Sequence, residues 1–222
     1  MNDVEIKICG LTSPAQALEC VAAGADAIGV VFHPPSPRHL TPRQAREIVK
    51  ALPSGFPVVG VFGANDPDEV LATAEAAGIA RLQLHQALPG PLIDAIFKER
   101  HLVFRFSRTG ESLRTAAMSL PTDQGLLVEC GRGPLPGGNG LAWDWGAAAV
   151  LRGLRPYAIA GGLNPANVAG AIEASGASAV DASSGLEATP GVKDSDLVRA
   201  FIRAARNAKG RHGTGKVFDF PA

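Results

Sequence analysis

Eight short apolar segments alternate along the chain with seven or eight stretches whose apolar residues recur at helical spacing. The first, Val4-Glu5-Ile6-Lys7-Ile8, alternates strictly, which sends Lys7 to the face opposite Ile6 and Ile8. Ala27 to Val31 is apolar throughout, as a parallel strand covered on both faces must be. Strands are predicted again at Pro57 to Val61, Arg81 to Leu84, Leu102 to Phe106, Gly125 to Glu129, Tyr157 to Ala160 and Ser178 to Asp181.

The intervening stretches carry helix signals. Thr12 or Ser13 can cap the first helix with Pro14 in its first turn, and Leu18, Val21 and Ala22 mark its stripe. Thr41-Pro42 and Asp66-Pro67 open the second and third helices, and Leu92, Ile93, Ile96 and Phe97 mark the fourth. A weakly specified helix follows near Glu111 to Met118. Asp144 can cap another, Asn164-Pro165 opens a seventh, and Leu197, Val198, Phe201 and Ile202 stripe the last. Gly24, Gly78 and Gly176 each read as a helix-ending glycine that leads into a strand. Strand and helix repeated eight times predict a single-domain (β/α)8 barrel over residues 1–208, with a polar tail at 209–222 that Val217, Phe218 and Phe220 can tack to the body.

In such a barrel the residues just after each strand line one mouth, where substrates bind. Those residues are the chemically unusual ones: Cys9-Gly10, His85, Glu129-Cys130, Gly161-Gly162 and Ser183-Ser184-Gly185. Glycines let the chain approach an anion and aim amides at it; serine hydroxyls and a short following turn add donors. The last two groups therefore read as a phosphate corner, and the mouth as a whole suggests an enzyme with an acid/base pair. Gly131 to Ala142, rich in Gly and Pro, reads as a loop over that mouth.

Composition narrows the alternatives. The chain has 222 residues, with 21 basic and 21 acidic side chains, so no global field draws it to nucleic acid or an anionic membrane. Its three cysteines lie far apart, which favours neither a metal cluster nor a disulfide scaffold, and His33 and His39 lack companion ligands. No apolar stretch reaches transmembrane length and no secretory signal is visible, so a cytoplasmic location is expected. Arg105 and Arg108 are too few for a nucleic-acid surface.

Several motifs carry a closer resemblance. Lys7-Ile8-Cys9-Gly10-Leu11-Thr12, Gly24-Ala25-Asp26-Ala27-Ile28-Gly29, Ser36-Pro37-Arg38, Val59-Gly60-Val61-Phe62 and Leu82-Gln83-Leu84-His85 come in that order. Gly137-Gly138-Asn139-Gly140, Trp143-Asp144-Trp145, Gly161-Gly162-Leu163-Asn164-Pro165-Ala166-Asn167-Val168 and Val180-Asp181-Ala182-Ser183-Ser184-Gly185-Leu186-Glu187 follow. Together they resemble the phosphoribosylanthranilate isomerase family of tryptophan biosynthesis.

The resemblance implies a (β/α)8 barrel that performs an Amadori rearrangement with no metal or organic cofactor. It implies Cys9 as general base, Glu129 at the position of the family's acidic aspartate, and Arg38 near the substrate. The phosphate would lie at Gly161, Gly162, Ser183, Ser184 and Gly185. Lys7, His85 and Asp181 are further candidates for substrate contact. Each also has a plainer role open to it: an ion pair for Lys7 or Glu129, loop-tying for Arg38, His85 or Asp181. The expected partner is a small phosphorylated sugar amine, bound by a monomer or homodimer.

Departures from the family pattern lie at the mouth. Glu129 replaces aspartate, His85-Gln86 replaces His-Gly, and Val103 to Arg108 is bulkier and more basic. They leave three alternatives open: a paralogue with another phosphorylated substrate, an aminoaldose phosphate isomerase like that of histidine biosynthesis, and a non-catalytic barrel that binds a phosphorylated ligand.

Overall fold

The computed structural model describes residues 4–63, 66–84, 101–106, 110–121, 124–129, 142–209 and 215–218. Eight parallel strands close into one barrel in sequence order: β1 (Glu5–Cys9), β2 (Ala27–Val31), β3 (Val58–Phe62), β4 (Arg81–Leu84), β5 (His101–Phe106), β6 (Gly125–Val128), β7 (Ala158–Ala160) and β8 (Ala179–Ala182). Closure comes where β1 pairs with β8, Lys7 opposite Asp181 and Glu5 opposite Ala179.

Alternation along the strands divides the buried residues into two populations. Ile6, Ile8, Ile28, Val30, Leu82, Leu102, Leu126, Val128 and Val180 point outward and pack under the helices. Burying each stabilises the fold by roughly 1.5–3 kcal/mol relative to exposure. Ala27, Val59, Val103, Leu127, Ala158, Ala160 and Ala179 form a second cluster inside the barrel, with Cys9, Val31 and Val61 above it. The interior is a packed core, not a pore.

The helices begin where capping chemistry allows. Ser13 Oγ accepts from Gln16 N at the start of α1 (Pro14–Ala22). Thr41 and Gln44 make a reciprocal capping box on α2 (Pro42–Ala51), and Asp66 accepts from two amides of α3 (Pro67–Ala77). The fourth predicted helix lies outside the described residues; α4 spans Gly110–Ser119.

The stretch capped by Asp144 is a 3-10 helix, Trp145–Leu151, rather than an α-helix. Trp145 Nε1 donates to Gly161 O at one end, and just past the other Arg152 donates to the carbonyls of Glu173, Ala174 and Ser175. A segment tied at both ends covers more distance with the longer rise of the tighter helix. Asn164 and Asn167 bond each other's turn before α5 (Val168–Ser175) begins, which delays that helix beyond Asn164-Pro165. A small hairpin, β9 (Glu187–Thr189) and β10 (Val192–Lys193), intervenes before α6 (Ser195–Arg206).

Of the tail, residues 215–218 are described, and Val217 and Phe218 lie fully buried with the inner-barrel residues. No helix among the described residues is long and apolar enough to cross a membrane.

Candidate active site

Cys9 is the last residue of β1 and lies in the inward-facing register, two positions beyond Lys7. Lys7 is fully buried, and its ammonium donates to Asp181 Oδ2 at 2.7 Å and to Gln83 Oε1 at 3.0 Å. Three strands thus meet on one nitrogen. Burial works against the charge of Lys7, but Asp181 and Cys9 outweigh it and hold the ammonium above the ordinary lysine range. Taking two ions from water costs several kcal/mol each, so the pair orders this floor more than it stabilises the fold.

The environment acts oppositely on the thiol. Burial pushes Cys9 above the ordinary cysteine range, Lys7 and Lys193 pull it back, and Asp181 adds to the rise. The resting group is a thiol whose thiolate is a strong base once formed. Asp181 keeps a second oxygen, Oδ1, that is buried and makes no hydrogen bond among the described residues. It is an acceptor available to a ligand hydroxyl.

Above the floor, the loops after β1, β2 and β8 interlock. Gly10 adopts φ +78°, and a Cβ there would sit 2.4 Å from Arg38 Cδ and 2.9 Å from Ser183 Oγ. Arg38 grips Glu187 with two bonds, Nε to Oε1 at 2.7 Å and a terminal nitrogen to Oε2 at 2.6 Å. Lys193 Nζ lies 2.6 Å from Glu187 Oε1 and donates to Ser183 O at 3.1 Å. Burial opposes ionisation of Glu187, yet Arg38 and Lys193 hold its carboxyl below the usual glutamate range. Burial lowers Lys193, which Glu187 only partly offsets because it serves two cations.

The ends of β7 and β8 form the corner assigned above to phosphate. Gly161 and Gly162 adopt φ +86° and +66°, a turn that side-chain-bearing residues disfavour. Trp143 Nε1 donates to Ala160 O at 2.8 Å, and Asn167 Nδ2 donates to Gly162 O at 2.9 Å. Ser184–Leu186 is a single 3-10 turn. A Cβ on Gly185 would fall 2.2 Å from Leu163 O, so only glycine lets the two loops touch.

Glu129 follows β6 and is buried, two positions beyond the inward Leu127. It therefore stands at the same end of the barrel as Cys9. His85, Cys130 and the loop of Gly131 to Leu141 lie outside the described residues.

This arrangement has close counterparts. The sequence pattern of N-(5'phosphoribosyl)anthranilate (PRA) isomerase fits residues 6–204. The N-(5'-phosphoribosyl)anthranilate isomerase of Desulfatibacillum aliphaticivorans is 44% identical over 97% of this chain and 99% of its own. That of Geobacter sulfurreducens is 40% identical over 91% and 98%. The chain belongs to the phosphoribosylanthranilate isomerase family. Among solved structures, phosphoribosyl anthranilate isomerase from Thermotoga maritima superposes with a TM-score of 0.82 at 35% identity, covering 91% of this chain and 98% of that one. A family structure in complex with reduced 1-(o-carboxyphenylamino)-1-deoxyribulose 5-phosphate matches at 0.76 and 33%, over 91% and 98%.

Within this family member, three residues that hold the site together were not singled out from the sequence. Gln83 had a signal, since the alternation of Arg81-Leu82-Gln83-Leu84 turns it to the same side as Lys7. Glu187 stood in a quoted motif without a role. Lys193 had none: only the hairpin brings it beneath Ser183.

Proposed function

We propose that this chain is an isomerase that converts N-(5-phosphoribosyl)anthranilate to 1-(2-carboxyphenylamino)-1-deoxyribulose 5-phosphate by general acid/base catalysis. The observation that carries the reading is similarity to isomerases of that name over nearly the whole chain. In this reading Glu129 gives its proton to the ring oxygen as the sugar C1–O bond breaks, leaving an iminium at C1. The Cys9 thiolate then takes the C2 proton, and the electron pair of that C–H bond forms the C1–C2 double bond of an enolamine. Tautomerisation to the ketone moves a proton from the C2 hydroxyl to C1. Each step needs only a carboxyl and a thiol held on either side of one sugar.

The phosphate is assigned to Gly161, Gly162, Ser183, Ser184 and Gly185, where glycine turns and serine hydroxyls converge. Asp181 Oδ1 is assigned to a sugar hydroxyl. Lys7 acts from below as a fixed charge that favours the thiolate, since its ammonium is committed to Asp181 and Gln83. Arg38 carries the Gly10 loop against the hairpin through Glu187.

The test is the loss of phosphoribosylanthranilate fluorescence in purified protein. Turnover is expected in the wild type, with none in Cys9→Ala and a large loss in Glu129→Gln, both folded by circular dichroism. A wild type that binds the substrate without converting it would overturn the reading. An unchanged rate in Cys9→Ala or Glu129→Gln would overturn that residue's role.

A further inference from the structure

The floor of the barrel is built with a vacancy that another part of the chain fills. At the end where the strands begin, β2, β7 and β8 present Ala27, Ala158 and Ala179 inward. β6 begins with Gly125, where a Cβ would fall 2.6 Å from Val217 O. Bulky branched residues usually fill such layers. Here the space is taken by Val217 and Phe218, both fully buried.

Polar bonds pin the insertion. Glu5 Oε2 accepts from Val217 N at 2.6 Å and from Phe218 N at 3.1 Å, and His101 Nε2 lies 3.3 Å from Val217 O. Glu5 stands directly below Lys7 in the inward register of β1. The Phe218 ring then faces upward: Lys7 Nζ lies 5.3 Å from its centroid, within the range of a cation–π contact. Lys7 is thus enclosed by Asp181, Gln83 and the Phe218 ring, and its Cε shares the space over Gly29 with the sulfur of Cys9.

We propose that Phe218 is a positioning residue for the isomerisation, its ring completing the floor of the site and holding the Lys7 ammonium against Cys9. The inference rests on the function proposed above, but its geometry does not. Lys7 has a four-carbon stem with many rotamers, and the oxygens of Asp181 and Gln83 alone would leave it room to swing downward into an empty floor. A ring whose negative face meets the ammonium closes that route and favours the charged form. Loss of the ring weakens the charge beside the sulfur, and the thiol then ionises at higher pH.

The test compares the full-length wild type with Phe218→Leu, which keeps apolar bulk without a π face, and with Ile48→Val, a core change in α2 that probes generic loosening. Two quantities are read against pH: kcat/KM, and the rate of Cys9 alkylation by iodoacetamide, followed on the Cys9 peptide by mass spectrometry. Phe218→Leu is expected to raise the alkylation midpoint by half a pH unit or more, roughly threefold less thiolate at a given pH, and to lower kcat/KM with KM little changed. Ile48→Val is expected to leave both at wild-type values.

An alkylation midpoint that does not move in folded Phe218→Leu, or one that moves as far in Ile48→Val, overturns the proposal. Should Phe218→Leu fail to fold, pentafluorophenylalanine at position 218 keeps the ring shape, weakens its negative face and carries the same two outcomes. Alkylation needs no substrate. A shifted midpoint in a protein without turnover would therefore sustain the role of Phe218 while the isomerase reading fell.

Discussion

The sulfur of Cys9 lies over Gly29: a Cβ added at Gly29 would fall 2.6 Å from Sγ and 3.1 Å from Lys7 Cε. Gly29 is the β2 residue paired with Cys9, so the missing side chain is the space that seats the thiol beside the ammonium. Gly29→Ala must push the sulfur aside, and a displacement of about 1 Å costs on the order of 100-fold in rate. The expected outcome is that loss in kcat with the barrel intact by circular dichroism. Near wild-type turnover would show that the sulfur does not need this seat.

The pH profile should carry the signature of a raised thiol. Burial places Cys9 above the ordinary cysteine range, so below that value the thiolate fraction rises tenfold per pH unit. Lys7 does not confuse the reading. Its folded pKa is raised, so the stability its charge contributes is fully present below the ordinary lysine value and is lost only as pH rises through the higher folded one. Alkylation of Cys9 by iodoacetamide reads the thiolate without the proton of Glu129, and its rate from pH 6 to 9 is expected to climb without a plateau near neutrality. A rate flat across that range would mean a thiol already ionised and would overturn the raised value.

The Lys7–Asp181 pair makes a thermodynamic prediction as well. Lys7→Met leaves Asp181 without its cation, and Asp181→Leu leaves a buried ammonium; each should cost about 3–5 kcal/mol. The double variant removes both ions and should recover most of that in urea unfolding, while remaining inactive. Additive losses in the double variant would mean that the two side chains contribute independently and are not coupled as a pair.

The two loops proposed to hold phosphate meet at Gly185. Its Cβ would strike Leu163 O at 2.2 Å, so Gly185→Ala separates the turn after β8 from the one after β7. KM should rise by roughly 10- to 100-fold, in keeping with the loss of one or two charge-assisted hydrogen bonds. Inhibition by inorganic phosphate should weaken in parallel. An unchanged KM would place the phosphate elsewhere.

Much of this molecule was legible in its pattern. Strict alternation in β1 separated Lys7 from Ile6 and Ile8, and the structure puts the first inside the barrel and the other two beneath the helices. Thr12 or Ser13, Thr41 and Asp66 marked helix starts because each offers an oxygen to amides that otherwise lack partners, and the structure chooses Ser13 for the first. The segment after Asp144 was harder, because its 3-10 form comes from anchors at Gly161 and at the end of α5 that its own sequence does not reveal.

Local order along the chain, then, determined the strands, the caps, the barrel and the residues at its mouth, since periodicity and capping act over a few positions and leave their mark there. Tertiary structure alone decided that Gln83 and Asp181 share one ammonium, that Lys193 reaches Ser183, and that Phe218 closes the floor beneath Lys7. These contacts join segments far apart in sequence. No periodicity records them, because they exist only once closure of the barrel brings distant strands, the hairpin and the C-terminal segment within bonding distance.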